Sequence, residues 1–252
     1  MTRERLRRTF NEDAQLYDRY RPEYPLALFG ELPAGPGTRV LEIGCGTGQA
    51  TAPVARLGCS VVAVELGAEL AAVARHKLAS MDVEVIVSAF EDWPLPVEKF
   101  DLVMAATAFH WLDPEIRMDK CANALRPGGT LAVISTEHIL GGTEQFFAEV
   151  QDIYERWDPA TPPGLRLQPA AEIPREFDVS DRFGEVRFHR YEWDELYSTE
   201  DYLGVLSTYS GHRALPTREN LLADIAALID TRYNGRITKR YMAQLAIARK
   251  LP

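Results

Sequence analysis

The sequence predicts a doubly wound α/β fold, a mostly parallel sheet with helices on both faces. Two observations predict it. Between residues 39 and 136, five short β-branched apolar runs alternate with amphipathic stretches, the rhythm of successive βαβ units. A glycine cluster, Gly44, Gly46 and Gly48, follows the first run directly, where a strand must turn into a helix. The 46% hydrophobic content is enough for a packed core and excludes disorder, and 252 residues suit one large domain.

The elements follow in order. RVLEIG (39–44) reads as a buried strand, and Thr47 to Leu57 as a helix ended by Gly58, a favoured residue just past a helix. SVVAVE (60–65) is a second strand and Ala68 to Leu78 a second helix. DVEVIVS (82–88) alternates like a third strand, and FDLVMAA (100–106) is the fourth. Asp113-Pro114 reads as an N-cap followed by proline at the first helical position, opening a helix that runs to Arg126. Pro127-Gly128-Gly129 stops it before a fifth strand, TLAVIST (130–136). Beyond this point the rhythm changes. Residues 143–157 carry apolar positions at helical spacing, and five prolines make 159–174 irregular. Residues 184–193 alternate as a strand. Ser198 or Thr199 caps a short helix through Tyr209, and Leu221, Leu222, Ile225, Leu228 and Ile229 form one helical face. Asn234-Gly235 breaks the chain before a last strand in 237–250. The segment 198–236 therefore reads as a helical cap inserted between the last two strands.

Charge and cysteine content narrow the function. The net charge is −9. Residues 1–25 hold six Arg against five acids, and 232–252 hold six Lys or Arg and no acid, so the body between them is strongly acidic. The basic stretch reads as a solvated strand face. An acidic body disfavours nucleic acid, whose affinity comes mainly from phosphate neutralisation. No apolar run is long enough to span a bilayer, and the charged stretch 1–10 shows no signal-peptide pattern. Three widely spaced cysteines, Cys45, Cys59 and Cys121, argue against a disulfide framework and for a reducing compartment, the cytoplasm. No Cys/His spacing suggests zinc, and no metal site is expected.

The chemistry concentrates in VLEIGCGTGQ (40–49). Its glycines let the backbone approach a ligand at the C-terminal edge of the sheet. Glu65 ends the second strand about 20 residues after the first glycine, where an acid accepts the ribose hydroxyls of an adenosine ligand. Two ligands compete for this geometry. A nicotinamide dinucleotide wants a third glycine at position 49, but Gln49 stands there. Glu42, two places before Gly44, suits a ligand with a positive amino group and no pyrophosphate. That favours S-adenosylmethionine. Cys45 has nothing nearby to activate it as a nucleophile.

At this point the sequence resembles the class I S-adenosylmethionine-dependent methyltransferases. LEIGCGTGQAT (41–51), VVAVELGAEL (61–70), AFEDWPLP (89–96) with FDLV (100–103), and LRPGGTLAVI (125–134) are similar to that family's successive motifs. More loosely, FNEDAQLYDRYRPEYP (10–25) and AFHWLD (108–113) resemble a small-molecule subgroup related to trans-aconitate methyltransferase. The resemblance implies a Rossmann-like, mostly parallel seven-stranded sheet with an antiparallel last strand. It implies one methyltransferase domain, with residues 1–38 a helical lid and 39–137 the cofactor core. Residues 138–182 would then form a helix and an irregular segment, and 183–252 the final strands with the cap. It also implies site residues. Gly44, Gly46 and Gln49 would line the methionine and ribose of the cofactor, Glu65 would hold the ribose, and Leu66 would pack on adenine. Phe90, by its backbone N–H, and Glu91, by its carboxylate, would bracket the adenine edge. Ala106 and Thr107 would lie beneath. Ala89 stands where the family often has Asp, which shifts the adenine amino contact to Glu91 or Ser88.

His110, just past the fourth strand, is the candidate general base or acceptor-orienting residue, set against a packed histidine. Tyr17, Arg21 and Tyr24 are candidates for the lid, with Arg21 meeting the cofactor carboxylate by a bidentate pair. Trp111 and the aromatics Phe146, Phe147, Tyr154, Trp157, Tyr202 and Tyr209 read mainly as packing, with an acceptor pocket as the sharper alternative. The sequence AATAFHW after the fourth strand lacks the Asn/Asp-Pro-Pro-aromatic run of many amino methylases, and no Pro-Cys pair suggests attack on cytosine C5. The expected reaction is methyl transfer to oxygen or nitrogen of a small molecule, a carboxylate included. The rival expectation is a non-catalytic protein that binds the same cofactor. A monomer or homodimer, with no nucleic acid and no membrane, completes the reading.

Overall fold

The computed structural model describes residues 10–178 and 180–252. The reading of the charged stretch 1–10 therefore falls, but for residue 10, outside the described residues. A 3-10 turn at Phe10–Asp13 leads into α1 (Ala14–Tyr20), where the Asp13 carboxylate accepts the Leu16 N–H at 2.9 Å. Then come α2 (Leu26–Phe29), β1 (Arg39–Ile43), α3 (Thr51–Arg56), β2 (Ser60–Glu65), α4 (Ala68–Lys77), β3 (Val83–Val87) and β4 (Phe100–Ala106). The second half holds α5 (Arg117–Ala124), β5 (Leu125–His138), α6 (Glu144–Trp157), β6 (Arg187–Ser198), α7 (Thr199–Ser207), α8 (Ser210–Arg213), α9 (Arg218–Arg232) and β7 (Arg236–Arg249).

The strands form one seven-stranded sheet in the order β3-β2-β1-β4-β5-β7-β6. The pairs β1–β2, β1–β4, β2–β3 and β4–β5 are parallel. β7 is antiparallel. The Lys250 N–H donates to Gly129 O and the Ile139 N–H to Arg240 O, so numbers fall along β7 as they rise along β5. Against β6 the same reversal appears, from Gly184 N–H on Arg249 O to Thr199 N–H on Gly235 O. The doubly wound sheet with its antiparallel last strand and inserted cap (α7 to α9) is thus as the sequence implied.

Several boundaries differ, each for a local reason. The helix expected from Thr47 begins at Thr51, because Gly46 (φ 57°) and Gly48 (φ 93°) hold conformations that no right-handed helix contains. Asp113 does not cap the next helix directly. Its carboxylate accepts the Glu115 N–H at 2.9 Å in a preliminary turn, and α5 starts at Arg117. Pro127-Gly128-Gly129 does not stop a helix. It lies inside the long β5, whose register against β4 shifts between Phe100 and Leu102. Of the basic residues in 232–252, Arg232, Arg236 and Arg249 are exposed as expected, but Lys239 on the interior strand β7 is 4% exposed.

The chain falls into two compact, interleaved units. Of the described residues, one comprises 10–22, 137–174 and 192–242, the other 23–136, 175–178, 180–191 and 243–252. The first has its own core, where Phe146, Phe147, Val150 and Ile153 of α6 pack with Leu221, Ile225 and Ile229 of α9. The second is built around Leu41, Ile43, Val62, Val64, Phe100 and Val103 of the parallel strands. Among the described residues no helix is long and apolar enough to cross a membrane.

Gly142 is the tightest backbone position of the first unit. Its φ is 65°, and a Cβ there would lie 2.2 Å from Thr238 O. Gly164 has the same φ sign (67°) with nothing within 4 Å. Gly142→Ala is expected to lower stability by roughly 2–4 kcal/mol, strain and clash together, and Gly164→Ala by only ~1 kcal/mol. Urea unfolding of both variants checks this; equal losses would show that the clash does not matter.

Candidate functional site

β1 runs into a tight glycine loop. Gly44 has φ 69°, and a Cβ on it would sit 2.6 Å from the Cβ of Ala108, which follows β4. Only glycine permits that approach. The Gly44 N–H donates to Val64 O at 2.7 Å, fixing the loop against β2. β2 ends on Glu65, which is 7% exposed. Its Oε2 accepts the Gly46 N–H at 2.9 Å and its Oε1 the Gly67 N–H at 2.8 Å. The carboxylate thus ties the loop after β1 to the loop after β2. Leu66, half-buried, follows directly. Gln49 donates from Nε2 to the Thr47 hydroxyl at 2.7 Å.

Glu42 lies inside β1, 1% exposed, in register with Ala63 and Met104. Among the described residues its Oε2 has no hydrogen-bond partner. Burial pushes its pKa up to about 7; the nearby Thr51 hydroxyl, without good hydrogen-bond geometry, works the other way, and the Glu65 charge adds to the rise. A buried carboxyl with an open acceptor fits a cationic amino group that closes the valence. The Cys45 thiol is pushed well up by burial and by Glu42 and Glu65, which removes it as a nucleophile.

The exits of β3 and β4 adjoin this loop. The Ser88 N–H donates to Glu65 O at 2.9 Å, and the Ser88 hydroxyl donates to Ala89 O at 3.0 Å. The Phe90 ring belongs to the core, 2% exposed. Glu91 accepts the Asp113 N–H on Oε1 at 3.2 Å. Lys120, which the sequence reading missed, holds this turn by donating to Glu91 O (2.8 Å) and Trp93 O (2.7 Å). Ala106 is half-buried at the end of β4. Thr107 has φ 52°, a strained conformation for threonine. Three contacts hold it: its N–H on Ile134 O (2.7 Å), and its hydroxyl with the Tyr24 hydroxyl (2.8 Å) and with Thr136 Oγ1 (3.4 Å).

His110 lies at the surface, its ring 4.9 Å from that of Trp111. Partial burial of the ring and the nearby Arg117 hold its pKa below the usual imidazole value, so it is neutral at neutral pH. It has no hydrogen-bond partner among the described residues, so no carboxylate orients it. Arg117 itself grips Asp178 through two bonds (2.5 and 2.8 Å) and Phe109 O (3.1 Å), anchoring the 3-10 turn that carries His110. Nothing in the spacing of these two residues announces that pair.

Glu42, Gly44, Gly46, Gln49, Glu65, Leu66, Phe90, Glu91, Ala106, Thr107 and His110 all belong to the second unit. Tyr17 and Arg21 belong to the first. There Arg21 donates from Nη2 to Thr208 O at 3.0 Å and stacks over Tyr17 (5.0 Å) and Tyr209 (4.6 Å). Phe146, Phe147 and Tyr202 are core residues of that unit, with Tyr154, Trp157 and Tyr209 packed against them. Among the described residues no group of three or more His, Cys, Asp or Glu side chains is placed to hold a metal ion.

Comparison with known proteins adds what the chain is similar to. Residues 41–133 match the methyltransferase domain family. An uncharacterized methyltransferase of Mycobacterium tuberculosis is 34% identical over 126 residues, 50% of this chain and 51% of that protein. A ubiquinone biosynthesis O-methyltransferase of Xanthomonas campestris is 43% identical over 102 residues, 38% of this chain and 42% of that protein. The chain spans about half the length of these curated relatives. A solved structure from Anaeromyxobacter dehalogenans, assigned as a type II methyltransferase, is 25% identical, covering 92% of this chain and 99% of that one, with a TM-score of 0.59.

The raised pKa of Glu42 has a consequence for stability. Between its ordinary value of 4.5 and about 7, the unfolded chain has lost this proton while the folded one keeps it. The folded state then binds more protons, so this residue's contribution falls as pH rises through that window and is constant below it. The stability difference between wild type and Glu42→Gln is expected to move by on the order of 3 kcal/mol against wild type from pH 4.5 to 7. Urea titrations across pH measure it; a difference that does not change with pH refutes the assignment.

Proposed function

We propose that this chain, which carries a class I S-adenosylmethionine-dependent methyltransferase domain, moves a methyl group to oxygen or nitrogen of a small-molecule acceptor. The open, buried carboxylate oxygen of Glu42 beside the Glu65-clamped glycine loop carries this reading. S-adenosylmethionine, when bound, supplies a methyl already activated by its sulfonium charge. The residues named here bind and orient. Glu42 meets the ammonium group, directly or through water. Gly44, Gly46 and Gln49 line the methionine and ribose portion. Glu65 accepts the ribose hydroxyls. Leu66 packs on adenine, with the Phe90 N–H and the Glu91 carboxylate at its edge, and Ala106 and Thr107 lie beneath. The reading rests on the second unit alone.

Positioning of this kind accounts for roughly 7–11 kcal/mol of a barrier, so no catalytic dyad is required. The O-methyltransferase relative supports oxygen as the acceptor atom. A hydroxyl acceptor gives up a proton, and neutral His110 is the group to take it; a carboxylate acceptor needs no base. The acidic body favours a small molecule over nucleic acid. Cys45, Cys59 and Cys121 are free and buried, in keeping with a reducing cytoplasm.

Calorimetric titration with S-adenosylhomocysteine tests the binding half. Glu65→Ala is expected to weaken it by about 1.5–3 kcal/mol, the scale of a charged hydrogen bond; unchanged affinity removes the ribose assignment. Methylation of an acceptor library tests the transfer half, and binding with no product would favour a non-catalytic role. For a hydroxyl acceptor, His110→Ala should lower kcat by about a hundredfold. A full rate in that variant would leave positioning as the whole contribution.

A further inference from the structure

The first unit holds a buried cation that no carboxylate meets among the described residues. Lys239 sits on β7, 4% exposed. Its ammonium has one polar partner among the described residues, the Tyr209 hydroxyl at 3.1 Å. Otherwise it lies over two rings, 5.4 Å from the Tyr209 centroid and 4.6 Å from that of Tyr241. An ammonium has three N–H donors, and a phenol satisfies one. Other basic residues of the chain are better served. Arg240, next along the strand and facing the other way, pairs with both oxygens of Asp194 at 2.7 Å. Lys120 has two carbonyls. Burying a charge without a carboxylate or carbonyl partner is costly, so Lys239 is suited to an anionic partner.

Neighbouring groups are donors too. The Arg21 guanidinium stacks 4.6 Å over the same Tyr209 ring. Burial pushes the Tyr209 hydroxyl up, but Lys239 and Arg21 outweigh it and hold its pKa below the usual phenol value. His138 packs near the other ring, 6.4 Å from the Tyr241 centroid, and its buried Nε2 has no hydrogen-bond partner among the described residues. Burial, aided by the Lys239 charge, lowers the pKa of His138 to about 2, so it stays neutral and keeps one N–H to give. His212, also in this electrostatic neighbourhood, is already engaged by the Tyr154 hydroxyl at 3.0 Å.

We propose that the first unit binds a small molecule through an oxyanion, carboxylate or phosphate, held by Lys239 with Tyr209 and His138 beside it. Charge-assisted N–H···O bonds of this kind are the strong, orienting contacts for such groups. The site is independent of the methyl-transfer reading, and either can fail alone.

The test is calorimetric titration of the full chain with succinate and, separately, with inorganic phosphate. Ionic strength is held constant with chloride, and succinamide serves as the uncharged control. One of the two anions is expected to bind at one site per chain, and its identity separates a carboxylate from a phosphate ligand. Lys239→Met should weaken that binding by about tenfold or more, and Tyr209→Phe by about threefold. Circular dichroism and cooperative unfolding establish that each variant is folded; if Lys239→Met is not, Tyr209→Phe decides. Absence of binding by either anion, equal binding of succinamide, or unchanged affinity in the folded variants overturns the proposal. Titration of the same samples with S-adenosylhomocysteine reports separately on the second unit.

Discussion

Two backbone N–H groups on one carboxylate organise the second unit. Glu65 takes Gly46 through one oxygen and Gly67 through the other, so a single side chain at the end of β2 sets the path of two loops. Charge-assisted bonds of this sort are about twice as strong as neutral ones. They are needed because the loop after β1 makes no regular structure of its own: its glycines hold left-handed conformations, and the helix waits until Thr51. The contact of Gly44 with Ala108 then sets the exit of β4 against the same loop. Three separate strand ends are thereby referred to one acid.

The same unit leaves some of its valences open. Glu42 is buried with one oxygen unmatched, and Thr107 is held in a strained conformation by its hydroxyl and N–H partners. A protein selected for stability alone has little reason to keep either. Both lie where parallel strands deliver their C-terminal ends, the edge at which open α/β sheets take ligands. The unit around α6 and α9 shows the same pattern in different chemistry, with the Lys239 ammonium embedded among aromatic rings.

Much of this was legible in the residues, and the remainder for identifiable reasons was not. The parallel strands were visible because burial on both faces demands continuous apolar runs, as in SVVAVE. Glu42, Glu65 and the glycines were visible because their spacing is tied to one turn. Helix starts were misjudged wherever a turn intervened, as at Gly46–Gly48 and at Asp113. Partners far apart in the chain were invisible: Arg117 and Asp178 are separated by 61 residues, and no local pattern joins them. The basic stretch was read correctly at Arg232, Arg236 and Arg249 but not at Lys239, because charge counts do not say which side chain of a strand points inward. His110 was visible as a residue type, but its lack of an orienting partner is a fact of three dimensions.

The position of β7 bears on how the chain reaches this state. An interior strand, paired on both sides, β7 follows the other six in chain order and can join only after both its neighbours are made. Until then β5 presents a bare hydrogen-bonding edge, and β6 has no neighbour to join. The contact of Lys250 with Leu125 O closes a span of 125 residues. Pairings so distant in sequence are slow to form, and open edges invite the wrong partners meanwhile. Completion of the sheet is therefore a late event in folding, resting on contacts far apart in the chain rather than on local ones.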